Sequence, residues 1–467
     1  ATWEARRGRQ MRAPDAGSRS DMTDVLEAKL TKRGRFRGDR KWTISQSGTC
    51  GRGVFATCDI ASGELVFADL PILHGPKQSC DLVACTSCSD ITRPLRKCSR
   101  NCHLPFCSER CENDESHNKE CCYLRSLNLT EEEWSPHIFR ALTLIRSLLM
   151  TDDDREVVKH LHANRGKQVD IQVSSLLSLL GNKLTETDVS WVRHCSGVLD
   201  GTAFEIELED SANSLKGLFP LSALMNHNCV PNTRHFYTDR ADGYRMVVVA
   251  SRFIPRGTQI FTSYCPLLWG TSLRRTFLLH TKHFQCECER CQDASEFGTN
   301  LQAVKCSCEK IMLPEDPTNF NSEWKCEDCG GLRSAKHNIM VQKSLQNPNE
   351  LDKFLPEGNY IRIQMKIDEV FKKTKRMHLE DITEEELRNI SHDCIMILKL
   401  IVQLKLGNTR FKGRLCERLS KVYREVNHKG VHMDSQEIEG FIECGQTIEN
   451  EDRRAVTKIL SEIMDHK

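Results

Sequence analysis

The chain has 467 residues and a formal net charge of +1, with 66 Lys and Arg against 65 Asp and Glu. That length suffices for two or three domains with cores of their own, and the balanced charge excludes a whole-molecule attraction to nucleic acid or membrane. No secretory signal segment and no transmembrane-length apolar run occurs. We therefore expect an intracellular protein of the nucleus and/or cytoplasm, with no direct nucleic-acid contact and no membrane contact.

The N-terminal segment is the local exception to the charge balance. Residues 1–41 hold 12 Lys and Arg against 6 Asp and Glu, with few large apolar residues. This composition is more typical of a solvated tail than of a nucleic-acid contact, so we predict a basic disordered arm. Residues 42–79 then alternate apolar and polar positions and carry turn-forming glycines, which predicts short antiparallel strands.

The 24 cysteines are the most informative part of the composition. In a reducing compartment they are not expected to form disulfides, and clustering at short spacings favours zinc. The first cluster, residues 80–122, offers eight ligands, enough for two tetrahedral zinc ions. The eight are Cys85, Cys88, Cys98, Cys102, Cys107, Cys111, His117 and Cys121. His103 is an alternative to Cys102, although a thiolate is the better candidate.

The second cluster contains two further sets of thiols. Cys286, Cys288 and Cys291 are three thiolates at zinc spacing that need a fourth ligand, and Cys229 is a candidate for it. Farther on, two close cysteine pairs are typical of a zinc ribbon. They are Cys306 with Cys308, and Cys326 with Cys329.

The segments between the clusters alternate between helical and strand-like patterns. Residues 123–197 have helical periodicity, with Ser135 and Pro136 as a helix start. Residues 198–264 are strand-like, and the chain from about residue 331 is helical, with Thr383 and Glu386 as a capping box. Arg274 and Arg275, on a helix expected after Tyr264, are predicted to be surface or packing charges and not site residues.

The order of these motifs carries a resemblance. "GRG" at 51–53, the inserted cysteine cluster, "NHNCVPN" at 226–232, "FTSY" ending at Tyr264, and C-x-C-x2-C resemble the SET-domain lysine methyltransferases. With the cluster inserted, residues 44–330 are similar to the SET and MYND domain-containing (SMYD) protein-lysine methyltransferases, arthropod-type branch. The resemblance implies an α+β fold: SET-domain small antiparallel β-sheets, an inserted MYND zinc finger, a zinc-bound post-SET segment and a C-terminal α-helical domain.

The resemblance also implies a division of the chain into segments. They are a basic arm (1–41), the SET N-terminal part (42–79), the MYND finger (80–122), a helical SET insert (123–197), the SET C-terminal part (198–280), the post-SET and ribbon-like segment (281–330) and the helical domain (331–467).

By the same resemblance, S-adenosylmethionine and about four zinc ions are the cofactors, and a protein lysine is the substrate. Tyr264 would be the catalytic residue. The implied cofactor-binding residues are Gly51, Arg52, Gly53, Asn226, His227 and Phe284. In the finger, Cys85, Cys88, Cys107 and Cys111 would hold one zinc, and Cys98, Cys102, His117 and Cys121 the other. MYND fingers in the family bind proline-containing peptides of co-regulators.

One position departs from the family pattern. Where the family has a second aromatic hydroxyl two residues before the phenylalanine, this chain has Lys282 before His283 and Phe284. A charge facing the reacting groups would repel a substrate ammonium and a sulfonium alike. Two functions therefore stay open: an active lysine methyltransferase, and a weakly active or inactive zinc-binding adaptor or transcriptional regulator.

Overall fold

The structure is a computed structural model, and it describes residues 16–34, 40–48, 50–77, 83–128, 136–180, 183–207, 214–338, 348–376, 382–429 and 435–464. The chain divides into two compact units, which are described separately. Unit 1 comprises Ala1–Phe55, Asp69–Leu224 and Tyr237–Met246; unit 2 comprises Ala56–Ala68, Met225–Phe236 and Val247–Lys467.

Helices and short strands alternate along the described residues, as in an α+β fold. The helices are α1 (Ala16–Gly34), α2 (Glu109–Glu112), α3 (Glu115–Ser126), α4 (Pro136–Leu148), α5 (Asp152–Lys159), α6 (Lys167–Leu180), α7 (Glu186–Thr202), α8 (Thr271–Lys282), α9 (Glu289–Gln292), α10 (Pro348–Phe354), α11 (Tyr360–Arg376), α12 (Glu384–Gln403), α13 (Arg410–His428) and α14 (Ser435–Met464). Within the described ranges, none of these helices has the length and apolar character needed to cross a membrane.

The strands are short throughout. They are β1 (Trp42–Ser47), β2 (Gly51–Ala56), β3 (Leu65–Asp69), β4 (Leu73–Pro76), β5 (Arg96–Lys97), β6 (Pro105–Phe106), β7 (Phe204–Glu207), β8 (Ser214–Leu218), β9 (Asn226–His227), β10 (Thr233–Tyr237), β11 (Met246–Ala250), β12 (Gln259–Thr262), β13 (Val304–Lys305), β14 (Ile311–Pro314), β15 (Trp324–Cys326) and β16 (Leu332–Arg333).

Helix α1 corrects the expectation of a disordered arm over residues 1–41. Leu26 and Leu30, four residues apart on one helix face, are buried, and the carboxylate of Glu27 accepts hydrogen bonds from the hydroxyl of Thr43 at 2.9 Å and the backbone N–H of Ile44 at 2.7 Å. An apolar pair and one carboxylate therefore anchor the helix to β1, which the basic composition conceals. Residues 1–15 lie outside the described part of the chain.

Unit 1 is built on a three-stranded antiparallel sheet in the order β4-β8-β7. Leu73 pairs with Leu218 and Phe204 with Gly217 in this sheet. Helices α4 to α7 fill the segment for which helices are expected, and α4 begins at Pro136; Ser135 lies outside the described residues. The carboxylate of Asp69 accepts two backbone N–H groups, each at 2.8 Å, at the turn after β8.

Unit 2 combines strands and long helices. Strand β9 pairs in parallel with β12, β10, β11 and β3 form one sheet, and β13 to β16 form a four-stranded antiparallel sheet. An extensive apolar core lies among α11, α12 and α13. The capping box of Thr383 with Glu386 is present at the start of α12, as the sequence predicts.

A buried arginine joins α14 to strand β10 within unit 2. The guanidinium of Arg234 is 2% exposed, and it contacts the carboxylates of Glu451 at 2.8 Å and Asp452 at 2.8 Å. A buried arginine of this kind is tolerated only where its donors are paired. The C-terminal helix is thus part of the same packed unit as the "NHNCVPN" stretch.

Candidate active site and metal centres

The stretch Asn226–Asn232 is held by hydrogen bonds to strand β12. In the parallel pair, Asn226 is opposite Phe261 and His227 is opposite Thr262. The side-chain amide of Asn232, which is buried, donates to the Gln259 carbonyl and accepts from the Phe261 N–H, both at 2.8 Å. One side-chain amide thus pairs with two backbone groups of β12. The polar residues of this stretch therefore fix its path beside β12.

Three rings gather at the end of β12. The ring centroid of His227 lies 5.4 Å from that of Tyr264 and 5.9 Å from that of Phe284, and the two latter rings are 6.4 Å apart in an edge-on arrangement. The Tyr264 hydroxyl donates to the Met225 carbonyl at 2.6 Å. We call His227, Tyr264 and Phe284 the aromatic group. It brings together three of the residues that the resemblance assigns to the cofactor and the chemistry.

His227 connects the aromatic group to a cysteine. Its Nδ1 accepts a hydrogen bond from the Tyr264 backbone N–H at 3.0 Å, so in the neutral ring the proton is on Nε2. That Nε2 lies 3.2 Å from the sulfur of Cys229. A ring nitrogen that donates to a thiolate fixes both the tautomer and the orientation of the histidine. The sequence pattern gives no direct sign of this connection.

Lys282 points toward the aromatic group. It is the last residue of α8, and its ammonium nitrogen lies 5.7 Å from the ring centroid of Tyr264, within cation–π distance. His283 follows in the left-handed conformation, with φ +61°, and ends the helix. The charge that replaces the family's second aromatic hydroxyl is therefore directed at the tyrosine ring.

Gly51, Arg52 and Gly53 belong to unit 1, where they begin strand β2. Gly51 has φ +74°, a conformation that favours glycine, and a Cβ there would meet no atom within 4 Å. The Arg52 guanidinium donates to the carbonyl of His160, and burial lowers the pKa of Arg52. The backbone at Gly51 thus has free space beside it, and the side chain of Arg52 holds the turn in place through the His160 carbonyl.

Four groups of four metal-ligating side chains are present among the described residues. In each, the candidate ligand atoms all lie within 4.8 Å of one another. The groups are Cys85, Cys88, Cys107 and Cys111; Cys98, Cys102, His117 and Cys121; Cys229, Cys286, Cys288 and Cys291; and Cys306, Cys308, Cys326 and Cys329. These are the ligand sets expected from the sequence, with Cys229 as the fourth thiol beside the C-x-C-x2-C cluster.

The geometry of these groups fits tetrahedral zinc. A zinc ion about 2.3 Å from each of four sulfurs places the sulfurs about 3.8 Å apart. The measured separations are 3.4 Å for Cys88–Cys107, 3.9 Å for Cys229–Cys286 and 3.5 Å for Cys306–Cys329. Thiolate and imidazole ligands without carboxylates are the donor set of structural zinc.

The finger absorbs its irregular spacing with backbone conformation. Asn101, the extra residue between Cys98 and Cys102, is left-handed with φ +62°. Cys102 thereby reaches a position 3.6 Å from the Nε2 of His117, and His103 is not part of the ligand group. Burial lowers the pKa of His117, which favours the neutral ring that binds metal.

Arg146 fixes the finger to the rest of unit 1. Its guanidinium donates to the carboxylate of Glu120 at 2.6 Å, on finger helix α3, and to the carbonyl of His74 at 2.8 Å, on β4. Arg240 adds a second link, since it pairs with Asp114 at the start of α3. The finger is therefore an integral part of the unit.

Two arginines on α8 are fully buried beside the group formed by Cys229 and the C-x-C-x2-C cluster, which we call the post-SET thiolate group. The guanidinium of Arg274 donates from Nε to the sulfur of Cys229 at 3.2 Å and from Nη2 to that of Cys291 at 3.6 Å. Arg274 and Arg275 are 0% and 1% exposed. Of the two roles expected from the sequence, surface charge or packing charge, both residues have the packing role. The contact of Arg274 with sulfur was not expected, because the acceptor lies 45 residues away along the chain.

Comparison with known proteins now bears on this site. The family model described as "SET domain" matches residues 51–265. The Drosophila melanogaster protein named SET domain-containing protein SmydA-8, isoform A, is 32% identical over 404 residues, covering 79% of this chain and 86% of the relative. The chain belongs to the SMYD family. It matches the arthropod-type branch, as its motifs predict.

Other relatives carry enzymatic names. The N-lysine methyltransferase SMYD2-B of Xenopus laevis is 26% identical over 273 residues, covering 55% of this chain and 62% of the relative. The histone-lysine N-methyltransferase ASHR1 of Arabidopsis thaliana is 24% identical over 341 residues, which cover 68% of this chain and 69% of the relative. The crystal structure of the SET domain of LSMT bound to lysine and AdoHcy aligns with 95% of this chain and 92% of its own chain, at 14% identity and a TM-score of 0.30.

The matched SET segment of this SMYD chain encloses most of the predicted site. It begins at Gly51, contains the finger, and ends one residue after Tyr264. The C-x-C-x2-C cluster and the ribbon-like sheet β13 to β16 lie beyond it. The post-SET thiolate group is thus shared between Cys229, inside the matched segment, and three thiols outside it.

Metal analysis tests the four groups. We expect about four zinc ions per chain, because each group offers four ligands at zinc spacing. The ribbon should lose its zinc first to a chelator, since Cys308 and Cys329 are exposed, whereas Cys229 and Cys291 are fully buried. Elemental mass spectrometry of the purified chain gives the number of zinc ions per chain. The variant Cys308→Ser should contain one zinc ion fewer than the unmodified chain. Two or fewer ions in the unmodified chain would contradict the assignment.

Proposed function

We propose that the chain is an S-adenosylmethionine-dependent protein-lysine N-methyltransferase. Membership of the SMYD family and the methyltransferase names of its relatives support this proposal. The structural observation that carries it is the aromatic group, in which the Tyr264 hydroxyl is fixed on the Met225 carbonyl at 2.6 Å, next to His227 and Phe284.

The proposed cofactor-binding residues are those that the family resemblance assigns. Asn226, His227 and Phe284 would hold the cofactor, and the contacts among them lie within unit 2. Gly51, Arg52 and Gly53 are assigned to the cofactor by the resemblance alone. S-adenosylmethionine, when bound, supplies a methyl group on a sulfonium. The fully extended backbone pairing of Asn226 and His227 with β12 keeps these two residues in place without a contribution from the ligand.

Tyr264 would position the substrate amine. A lysine ammonium with a pKa of about 10.4 must lose its proton, which near pH 7 costs about 4–5 kcal/mol. An apolar, aromatic channel reduces that cost by disfavouring the charged form. Because the Tyr264 hydroxyl gives its proton to the Met225 carbonyl, its oxygen can accept a hydrogen bond from the neutral amine and orient the nitrogen lone pair toward the methyl group.

Replacing Tyr264 tests this role. In Tyr264→Phe, we expect methyl transfer to lysine to fall on the order of 100-fold, because the only group lost is a hydroxyl that orients the reacting amine. Binding of S-adenosylmethionine, measured by calorimetry, should be unchanged. Transfer of labelled methyl to a lysine peptide library measures the activity.

The matched control is Tyr360→Phe, which removes a hydroxyl from a tyrosine on α11 in the same unit. It should keep the activity of the unmodified chain. If Tyr264→Phe transfers methyl as fast as this control, the catalytic role is wrong. If the unmodified chain binds no S-adenosylmethionine, the enzymatic proposal is wrong.

The alternative, a weakly active or inactive zinc-binding adaptor or regulator, is favoured by one observation, the position of Lys282. Its ammonium lies 5.7 Å from the centre of the Tyr264 ring. At about 6 Å, two cations repel each other by roughly 3 kcal/mol when the effective dielectric constant is about 20. Lys282 would therefore reduce the affinity for both the substrate ammonium and the cationic methyl donor.

Neutralising Lys282 distinguishes the two functions. We expect Lys282→Met to raise kcat/KM for methyl transfer at pH 7 about tenfold. Solvent screening would reduce the repulsion to about half, roughly 1.4 kcal/mol, and that energy corresponds to a factor of about ten. The control is Lys405→Met, because Lys405 makes a similar cation–π contact with Phe297 in the same unit, at 4.4 Å. Equal or lower activity in Lys282→Met would show that Lys282 does not restrain the reaction.

The first cysteine cluster would be a MYND finger that binds proline-containing peptides of co-regulators. Two zinc-type ligand groups in the family order support this, and a cavity of about 580 Å³ is lined by His103, Leu124 and Arg125 beside them.

We propose that the chain acts in the nucleus and/or the cytoplasm, which fluorescence imaging of the tagged chain would test.

Peptide binding separates the finger from the methyl-transfer site. A proline-rich peptide should bind the unmodified chain and Tyr264→Phe equally in fluorescence polarisation. Cys107→Ser should abolish that binding, because the finger has too little apolar material to fold around three ligands. Binding that survives in Cys107→Ser would rule out the finger as the docking site.

A further inference from the structure

The post-SET thiolate group would hold excess negative charge in a largely buried place, since three of its four thiols are buried. Four thiolates around one divalent zinc ion leave two negative charges uncompensated. Cys229 and Cys291 are each 0% exposed, so water does not screen these charges. Burying such a charge without a counter-charge is strongly unfavourable. The described residues packed against the group should therefore include a cation.

Arg274 is that cation by geometry. It is 0% exposed, and two of its nitrogens face two different sulfurs of the group, Nε at 3.2 Å from Cys229 and Nη2 at 3.6 Å from Cys291. A guanidinium is always charged and presents several donors in one plane, which a lysine ammonium cannot do. The planar guanidinium can therefore donate to both thiolates at once, from Nε to Cys229 and from Nη2 to Cys291.

A second set of contacts fixes the orientation of Arg274. The carboxylate of Glu296, also fully buried, accepts from Arg274 at 2.5 Å and from Arg290 at 2.8 Å, and its other oxygen accepts the Thr271 N–H at 2.9 Å. Arg290 in turn donates to the Cys229 carbonyl at 3.3 Å. Glu296 has φ +52°, an unfavourable conformation for a residue with a side chain, which indicates that its placement is maintained by these contacts.

We propose that Arg274 is an outer-shell residue of the post-SET metal site: its guanidinium offsets the charge of the metal–thiolate group and thereby retains the metal. Glu296 and Arg290 position it. This inference concerns the metal site and holds whether or not the chain transfers methyl groups. It assigns a function to a residue whose sequence context is that of an ordinary helix charge.

The same sulfur links the metal to the aromatic group. Cys229 accepts from Arg274 on one side and lies 3.2 Å from Nε2 of His227 on the other, and Nδ1 of His227 accepts the Tyr264 N–H at 3.0 Å. Outer-shell partners of this kind orient ligands and increase metal affinity. If the metal left this group, Cys229 would no longer be held in place, and His227 would lose the sulfur contact that fixes one of its two ring nitrogens.

The neighbouring Arg275 provides a matched control. It is 1% exposed on the same helix, and its guanidinium donates to oxygen atoms, among them the Cys286 carbonyl at 3.0 Å and the Gln285 side chain at 2.9 Å. Its guanidinium also stacks 5.1 Å from the Phe320 ring centre. Replacing Arg275 removes an equally buried cation without removing a donor to sulfur.

The test compares metal retention in the full-length variants Arg274→Met, Arg274→Lys and Arg275→Met. Release of zinc to a coloured chelator gives the rate for each site, and the thiolate-to-cobalt absorption of the Co²⁺-substituted chain reports directly on the sulfurs. We expect one zinc ion to leave Arg274→Met about 10- to 100-fold faster than the unmodified chain, with Arg274→Lys between the two. Arg275→Met should release zinc at the unmodified rate.

Two outcomes would overturn the proposal: equal release from Arg274→Met and the unmodified chain, or equally accelerated release from Arg275→Met. If Arg274→Met does not fold, the comparison of Arg274→Lys with Arg275→Lys decides, since both keep the charge. In that pair, a shifted cobalt–thiolate band in Arg274→Lys alone supports the proposal, and unshifted bands in both refute it.

Discussion

The hydrogen bonds that converge on the sulfur of Cys229 are the constraint on which the candidate site depends. The sulfur belongs to a group of four thiols, and it contacts Arg274 on one side and His227 on the other. Because His227 also accepts the backbone N–H of Tyr264, the position of this tyrosine is tied to the geometry of the four-thiol group. One atom thus relates the charge of the metal group to the orientation of the aromatic group.

This arrangement explains why seven residues, Asn226–Asn232, are so polar. The strand that they form has two residues, too few to be held by backbone pairing alone. Asn232 replaces a strand partner with its side-chain amide, His227 is held at both ring nitrogens, and Cys229 is placed next to thiols up to 62 residues away. Each polar side chain supplies an interaction that a longer strand would obtain from its neighbours.

Much of the site could be predicted from the sequence, because metal ligands have characteristic spacings. The ribbon pairs, the C-x-C-x2-C thiols and the capping box of Thr383 follow from local patterns. The division of the first cluster into two ligand sets rests on the family resemblance, and Cys229 is only a candidate ligand until the fold places it beside the other three thiols. Helix α1 could not be predicted from composition, since its stability depends on Leu26, Leu30 and one carboxylate that contacts β1.

Arg274 and Arg275 show more clearly which contacts cannot be predicted from the sequence. They are adjacent and chemically identical, yet one faces sulfur and the other faces carbonyl oxygen, a difference set by helix rotation and by residues far along the chain. The direction of Lys282 is of the same kind. Its place two residues before Phe284 is read from the sequence, but only the fold determines that its ammonium lies over the Tyr264 ring.

The most direct test of this account is the affinity for S-adenosylmethionine after one metal group is removed at a time. Calorimetry would compare Cys229→Ser with Cys308→Ser, which removes a ligand from the ribbon group of the same unit. The account predicts that Cys229→Ser binds at least about tenfold more weakly, because His227 loses its sulfur partner, while Cys308→Ser binds as the unmodified chain does. Equal affinity in both variants would contradict it.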